Sequence, residues 1–305
     1  MNDNQERKTG RSAAQSGVVV LVVALTAGAL IYRLLKHERL GNSSAMFLGI
    51  PAVLAILLAL TPKAKSVTGA ILKGIALFLL IIAPLLGEGY LCILMASPLF
   101  FGVGALVGVL IDGSRQRRST TLSCVTLLLV PVCMEGVVPK LTFDRAQSVQ
   151  ASRIVNAPSA LVEESLAHSP RLNTPIPFPY RIGFPKPLLA YGDGLGVGAT
   201  RTIHFAGAEG DPPGDLVMRV AERRPGYARF EAVSDNSKLT QWLQWKNSEV
   251  EWRPIGAGRT QVTWRIHFDR QLDPAWYFSP WERVVVGEAA RWLIEANATP
   301  TEARE

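Results

Sequence analysis

From Gly89 to Ile111 the chain runs for about 23 residues without a charge, between Glu88 and Asp112, long enough to cross a hydrocarbon layer of about 30 Å as one helix. A core helix of a water-soluble domain rarely stays uncharged for that length. Similar apolar runs stand on either side of it, at Gly17 to Tyr32, Ala45 to Leu60, Val67 to Leu86 and Leu122 to Val138. Residues 17–138 are therefore expected to form an all-α transmembrane bundle of about five spans, behind a polar tail over residues 1–16.

Charge follows the same division. Residues 1–138 hold 12 Lys and Arg against 6 Asp and Glu, and the rest of the chain 20 against 19, so the net +7 sits almost wholly in the apolar half. Basic residues bordering apolar helices face phosphate headgroups, whereas a nucleic-acid binder gathers them on one soluble face. Membrane lipids are the expected partners, and nucleic acid is not. With five spans, the N-terminal tail shares a side with the loops at Lys63–Lys65 and Arg115–Arg118, against Arg33, Lys36 and Arg39 opposite. The positive-inside bias then predicts an integral multi-pass cell membrane protein with a cytoplasmic N-terminus and an extracytoplasmic C-terminal half. Glu88, Asp112 and Glu135 fall at span ends, which argues against an ion path through the bundle. Cys92, Cys124 and Cys133 lie in expected spans, so neither a disulfide framework nor a thiolate metal site follows. Nothing in the pattern specifies an oligomer.

After a linker over residues 139–147 the pattern becomes that of a water-soluble α+β domain, residues 148–298, with a tail over 299–305. Ser148 to Val155 reads as a strand. Asn156-Ala157-Pro158 then opens a helix to about Ala167 with Asn156 as its cap. Ser169 to Pro187 contains Pro170, Pro175, Pro177, Pro179, Pro185 and Pro187, too many for a long helix or a central strand. It reads as a surface loop and, over a cavity, as a lid. Six strand-like runs follow, beginning with Leu188 to Tyr191 and ending with Thr260 to Asp269. In the last, Thr260, Val262, Trp264, Ile266 and Phe268 share one face while Gln261, Thr263, Arg265, His267 and Asp269 share the other, the period of a sheet wet on one side. Ser279-Pro280 is expected to open the closing helix, which runs to Ala298.

Gly194-Leu195-Gly196-Val197-Gly198-Ala199 fits a loosened dinucleotide fingerprint, but the alternating residues Thr200 to Phe205 follow it where a helix N-terminus would have to receive a pyrophosphate. It reads as a glycine-rich hairpin turn, and no cofactor is expected. His204, His267 and Asp269 are scattered over two strands without a metal-ligand spacing, so no metal is expected either. All seven tryptophans, Trp242, Trp245, Trp252, Trp264, Trp276, Trp281 and Trp292, lie in the soluble half. So many rings in one domain need a large core or an incompletely filled apolar pocket. Asn42-Ser43-Ser44 and Asn297-Ala298-Thr299 match the glycosylation triplet.

The order of strand, helix, proline-rich segment, six strands and long helix adds to two local features: Arg153-Ile154-Val155-Asn156-Ala157-Pro158 at a strand-to-helix entry, and the spacing of Gly194, Gly196, Gly198 and Arg201. With these, residues 148–298 resemble the START-like superfamily, specifically its polyketide cyclase/dehydrase branch, also called SRPBCC. The resemblance implies a helix-grip fold, an antiparallel sheet curved around the long C-terminal helix with an apolar cavity between them. Members bind lipids, sterols, polyketides or hormones, and a minority catalyse cyclisation. The cavity is expected to be lined by Met218, Phe230, Trp245, Trp252, Trp264, Ile266, Phe268 and Trp292. The leading expectation is a membrane-anchored binding module for a lipid-like or other apolar small molecule. Its alternatives are a cyclase or hydro-lyase using His204, Glu231 or Tyr277 as acid or base, and a filled-core regulatory or interaction domain at the membrane.

Overall fold

The computed structural model describes residues 20, 23, 53, 54, 56–58, 64–86, 90–116, 135–181, 184–207 and 212–300. Met1–Leu129 and Val130–Glu305 form two compact units, each taken by itself.

In the first unit two long helices are described, α1 (Val67–Leu86) and α2 (Tyr90–Gln116). Glycine sets how closely they approach. A Cβ on Gly108 would lie 2.5 Å from the Thr68 Cα, and one on Gly104 would lie 2.2 Å from Ile75 Cδ1. Small residues four apart let two helix backbones meet in this way. Just beyond, Asp112 accepts from the Val67 and Thr68 amides at 2.9 and 3.0 Å and from the Thr68 hydroxyl at 2.7 Å. Ser66 Oγ takes the Gly69 amide at 3.0 Å. The free N–H groups that open α1 are thus capped, partly by their own turn and partly by the neighbouring helix. Away from this contact Phe100, Val103, Leu106 and Val109 stay 42% to 60% exposed. Among the described residues one helix, over Met95–Gly113, is long and apolar enough to cross a membrane, and Val67–Ile81 is apolar but shorter. The expected spans at 17–32 and 45–60 lie largely outside the described residues, as do the turn at 87–89 and most of 122–138. The last four residues of that final run, 135–138, form a turn where helix was expected.

The second unit is built on seven antiparallel strands: β1 (Ala146–Val155), β2 (Pro187–Tyr191), β3 (Thr200–Phe205), β4 (Gly214–Arg224), β5 (Tyr227–Asp235), β6 (Leu243–Pro254) and β7 (Thr260–Arg270). They lie in the order β1-β7-β6-β5-β4-β3-β2. The first strand therefore crosses to pair with the last, with Val149 opposite Ile266 and Ala151 opposite Trp264. Register shifts in β4 at Val217/Met218 and Val220/Glu222 and in β6 at Trp245/Asn247 add the local bend and twist that bulges supply. On β7 every second residue from Thr260 to Arg270 is buried, as the alternation predicts. Helix α3 (Ser159–Ala167) follows β1, and α4 (Ala275–Leu293) packs on β1 and β7 before a π-helical turn over Ile294–Ala298. This is the helix-grip architecture.

Three local expectations are corrected. Helix α3 takes Pro158 at its N-cap, without a side-chain cap from Asn156. Helix α4 begins at Ala275, after Pro274, so Pro280 stands inside it and not at its start. The segment expected as a linker is fastened down. Arg270, fully buried, donates from Nη2 to Glu135 Oε1 and the Phe143 carbonyl, both at 2.9 Å, and from Nε to the Asp144 carbonyl at 3.2 Å. Its Nη1 donates to the Leu272 carbonyl at 2.9 Å and to the Asp273 carboxylate. Glu135 Oε1 also accepts the Ala275 amide at 3.0 Å, which caps α4 with a negative charge at its positive end. A buried guanidinium persists only when its five N–H groups are met in this way.

Candidate ligand cavity

The inward residues of five strands converge on one space. Arg201, Ile203 and Phe205 come from β3, Leu216 and Met218 from β4, Phe230 from β5, Trp245 and Ser248 from β6, and Trp264 and Ile266 from β7. Ala289, Trp292, Leu293 and Asn297 close it from α4 and the π turn, and Pro170, Ile176, Pro177 and Tyr180 from the proline-rich segment. That segment is held from within: Tyr180 donates to the Val285 carbonyl at 3.2 Å, and Arg171 N to the Ala296 carbonyl at 3.0 Å. The cavity measures about 100 Å³, comparable in scale with the engineered apolar cavity of roughly 150 Å³ that stays dry and binds benzene.

Its wall is apolar apart from a few groups. Arg201 is 5% exposed; its Nη2 donates to the Leu166 carbonyl and, at 3.3 Å, to that of Gly194. Its guanidinium stacks 5.0 Å from the centre of the Phe230 ring. Burial pulls its pKa down to about 10, against the opposing charge of Asp193, so it remains a cation. Burial also raises the Tyr180 phenol, with Glu288 adding to the effect. Ser248 Oγ accepts from Trp264 Nε1 at 2.6 Å. Among the described residues, three buried polar atoms of the wall residues have no hydrogen-bond partner: Arg201 Nε, Trp245 Nε1 and Asn297 Oδ1.

Of the eight residues expected at the cavity, Met218, Phe230, Trp245, Trp264, Ile266 and Trp292 lie on its wall. Trp252 and Phe268 do not. Trp252 is buried toward the far end of β6, with the Arg223 guanidinium 4.8 Å from its ring centre. Phe268 is buried on the correct face of β7, but two residues from Arg270, at the end where the charged fastening sits.

None of His204, Glu231 and Tyr277 lines the space. His204 is on the outer face of β3, its Nδ1 2.6 Å from Asp215 Oδ1, and Glu231, on the outer face of β5, pairs with Arg229 at 3.3 Å. Tyr277 is in the first turn of α4, its ring edge-on to Trp276 and Phe278. The three stand on β3, β5 and α4. Arg201, Tyr180 and Asn297 were not anticipated as wall residues. Arg201 was visible only as the last member of the glycine hairpin pattern, and Asn297 only as a glycosylation triplet. At 3% exposure Asn297 is closed to glycosylation in the folded domain.

The glycine-rich stretch is the hairpin turn between β2 and β3, with Gly194 and Gly198 at φ of 103° and 93°, where L side chains are strained. It opens a strand, as the dinucleotide reading does not allow.

No protein-family model matches the chain, and no curated protein matches it in sequence. Solved structures similar to it include the Zhui aromatase/cyclase from Streptomyces sp. R1128, 15% identical over 49% of this chain and 92% of that one, with a TM-score of 0.34. A START superfamily protein from Mycobacterium smegmatis is 14% identical over 49% of this chain and 92% of its own, with a TM-score of 0.33. Norcoclaurine synthase from Thalictrum flavum is 12% identical over 49% and 85%, also with a TM-score of 0.33.

Proposed function

We propose that the C-terminal domain is a binding module for a small apolar molecule, carried by a chain whose apolar N-terminal helices anchor it in a bilayer. The observation that carries the binding reading is the apolar cavity between sheet and α4, walled by Met218, Phe230, Trp264 and Ile266. Burying an apolar ligand there contributes about 25 cal/mol per Å² before ordering costs. At about 100 Å³ the space takes a single ring, and a larger guest requires the proline-rich lid to move. The anchoring reading rests on the apolar residues that α2 leaves exposed and on the length of its apolar stretch. The distribution of Lys and Arg favours a cytoplasmic N-terminus and an extracytoplasmic domain.

The test is ligand capture by the full chain purified in detergent, read by native mass spectrometry and by a displaceable apolar dye. Ala289→Trp, which fills the cavity from α4, is expected to abolish capture while the fold survives. Capture unchanged in that variant would place the ligand elsewhere. Membrane anchoring is checked separately by carbonate extraction, which is expected to leave the chain in the pellet.

A further inference from the structure

The first half of α4 turns an apolar face to solvent. Trp276, Trp281 and Val284 are 48% to 58% exposed, and Pro280 and Arg283 are exposed between them. Trp276, Pro280, Arg283 and Val284 recur at helical spacing and share one side of the helix, while Phe278, Glu282 and Val285 are buried on the other. Trp276, Pro280 and Arg283 border one shallow groove. Single exposed apolar residues are ordinary, whereas several on one face mark a contact surface. The start of this helix is fastened to the entry of the domain, with Glu135 Oε1 accepting the Ala275 amide at 3.0 Å and Arg145 pairing with Asp273 at 2.7 Å. That entry carries exposed apolar residues of its own, Val137, Leu141 and Phe143.

We propose that the domain itself docks on the bilayer through the outer face of α4 and the turn at 137–143, with Trp276 and Trp281 among the headgroups and Lys140 and Arg283 against lipid phosphate. The inference draws on the anchoring reading above and is independent of the cavity reading. What is joined to this corner argues for lipid as its cover. Immediately before Glu135 the sequence carries no charge from Ser119 to Met134, a run that the anchoring reading assigns to the bilayer, and Glu135 is bonded to the first amide of α4. The charges agree. Lys140 and Arg283 are exposed, whereas the acids nearby are engaged elsewhere: Asp273 with Arg145 and Arg270, Glu135 with Arg270, and Asp144 with the Ala146 amide. Tryptophan beside cations is the composition of a membrane boundary. A two-fold contact with a second copy instead turns each cation toward its own counterpart. Since Ala289 and Trp292 of the same helix wall the cavity, docking sets that cavity about one helix diameter from the layer in which apolar molecules partition.

The experiment reconstitutes the full chain into vesicles of phosphatidylcholine and phosphatidylglycerol, with and without bromine near the headgroup end of the acyl chains. Tryptophan emission is read on the vesicles recovered by flotation. All seven tryptophans lie in the second unit, so the apolar half contributes no signal. Bromine is expected to remove about a quarter of the emission, the share of two rings among seven at the headgroup level. Trp276→Phe/Trp281→Phe, which removes the reporters and keeps the apolar surface, is expected to lose that quenching. Lys140→Glu/Arg283→Glu, which keeps both reporters, is expected to reduce it about twofold, and unchanged quenching there overturns the phosphate contact. Vesicle-bound chain whose emission ignores bromine overturns docking and leaves anchoring standing; a cross-linked dimer in that sample assigns the face to a second copy. Quenching that survives in Trp276→Phe/Trp281→Phe comes from lipid inside the cavity and overturns docking as well. Chain that separates from the vesicles on flotation overturns the anchoring reading and this inference with it.

Discussion

The two faces of the β-sheet are held by different physics. On the inner face, Val262, Trp264, Ile266 and Phe268 are 0% to 3% exposed, and their contribution is close contact with one another and with α4. The outer face of the same strands carries paired charges. Glu249 is 3.1 Å from Arg265 and 3.6 Å from His267, and Lys246 is 2.9 Å from Asp269. Buried packing has no competitor once water has left, whereas an exposed ion pair competes with water and salt throughout. Stability and the cavity therefore belong to one face, and the other is tolerant of change. The two helices of the first unit offer a third solution, in which glycines on α2 leave room for α1, Gly108 for the Thr68 backbone and Gly104 for the Ile75 side chain.

The contrast can be broken in graded steps, followed by tryptophan fluorescence in urea, since all seven tryptophans report on the second unit. The largest effect is expected from Trp264→Ala on the inner face, about 4 kcal/mol of lost stability. Arg270→Leu comes next, at about 3 kcal/mol, because it leaves the Glu135 carboxylate buried without its cation. A smaller effect arises at Glu282, 4% exposed on α4. Burial pushes its carboxyl from the ordinary 4.5 up to about 7, although the Leu272 amide and the Arg270 charge pull the other way. The folded chain then holds that proton more tightly than the unfolded chain. The contribution of Glu282 to stability is accordingly greatest below pH 4.5, falls as pH rises from there to about 7, and is level above. The fall is on the order of 2 kcal/mol, and Glu282→Gln is expected to remove it. The smallest effect is expected from Glu249→Gln on the outer face, below about 1 kcal/mol. A cost as large as that of Trp264→Ala would erase the distinction between the faces.

Strand positions were legible because side-chain alternation is a local property: Thr260 to Phe268 announces which residues point inward without knowledge of their neighbours. The same alternation does not say how far along a strand the cavity extends. Trp252 and Phe268 were therefore placed in it, although one packs with Arg223 and the other approaches Arg270. The start of α4 is misread from sequence because Pro280 suits a first helical position better than the second turn it occupies, and the true start depends on Glu135, more than a hundred residues away, which caps Ala275. The proline-rich segment was legible as a stretch without a long helix or a central strand, and its Pro170, Ile176, Pro177 and Tyr180 line the cavity. Its grip on Val285 and Ala296 was not, because those hydrogen bonds join groups far apart in sequence. Arg201 and Asn297 escaped for a related reason, since burial, which puts a commonplace polar residue on the wall, is a property of the assembled fold.

The clasp at Arg270 makes the threshold of the domain and the base of its last helix one mechanical piece. Glu135 grips both the guanidinium at the end of β7 and the first amide of α4, so the last strand and the last helix share one carboxylate, and removing it would loosen both at once.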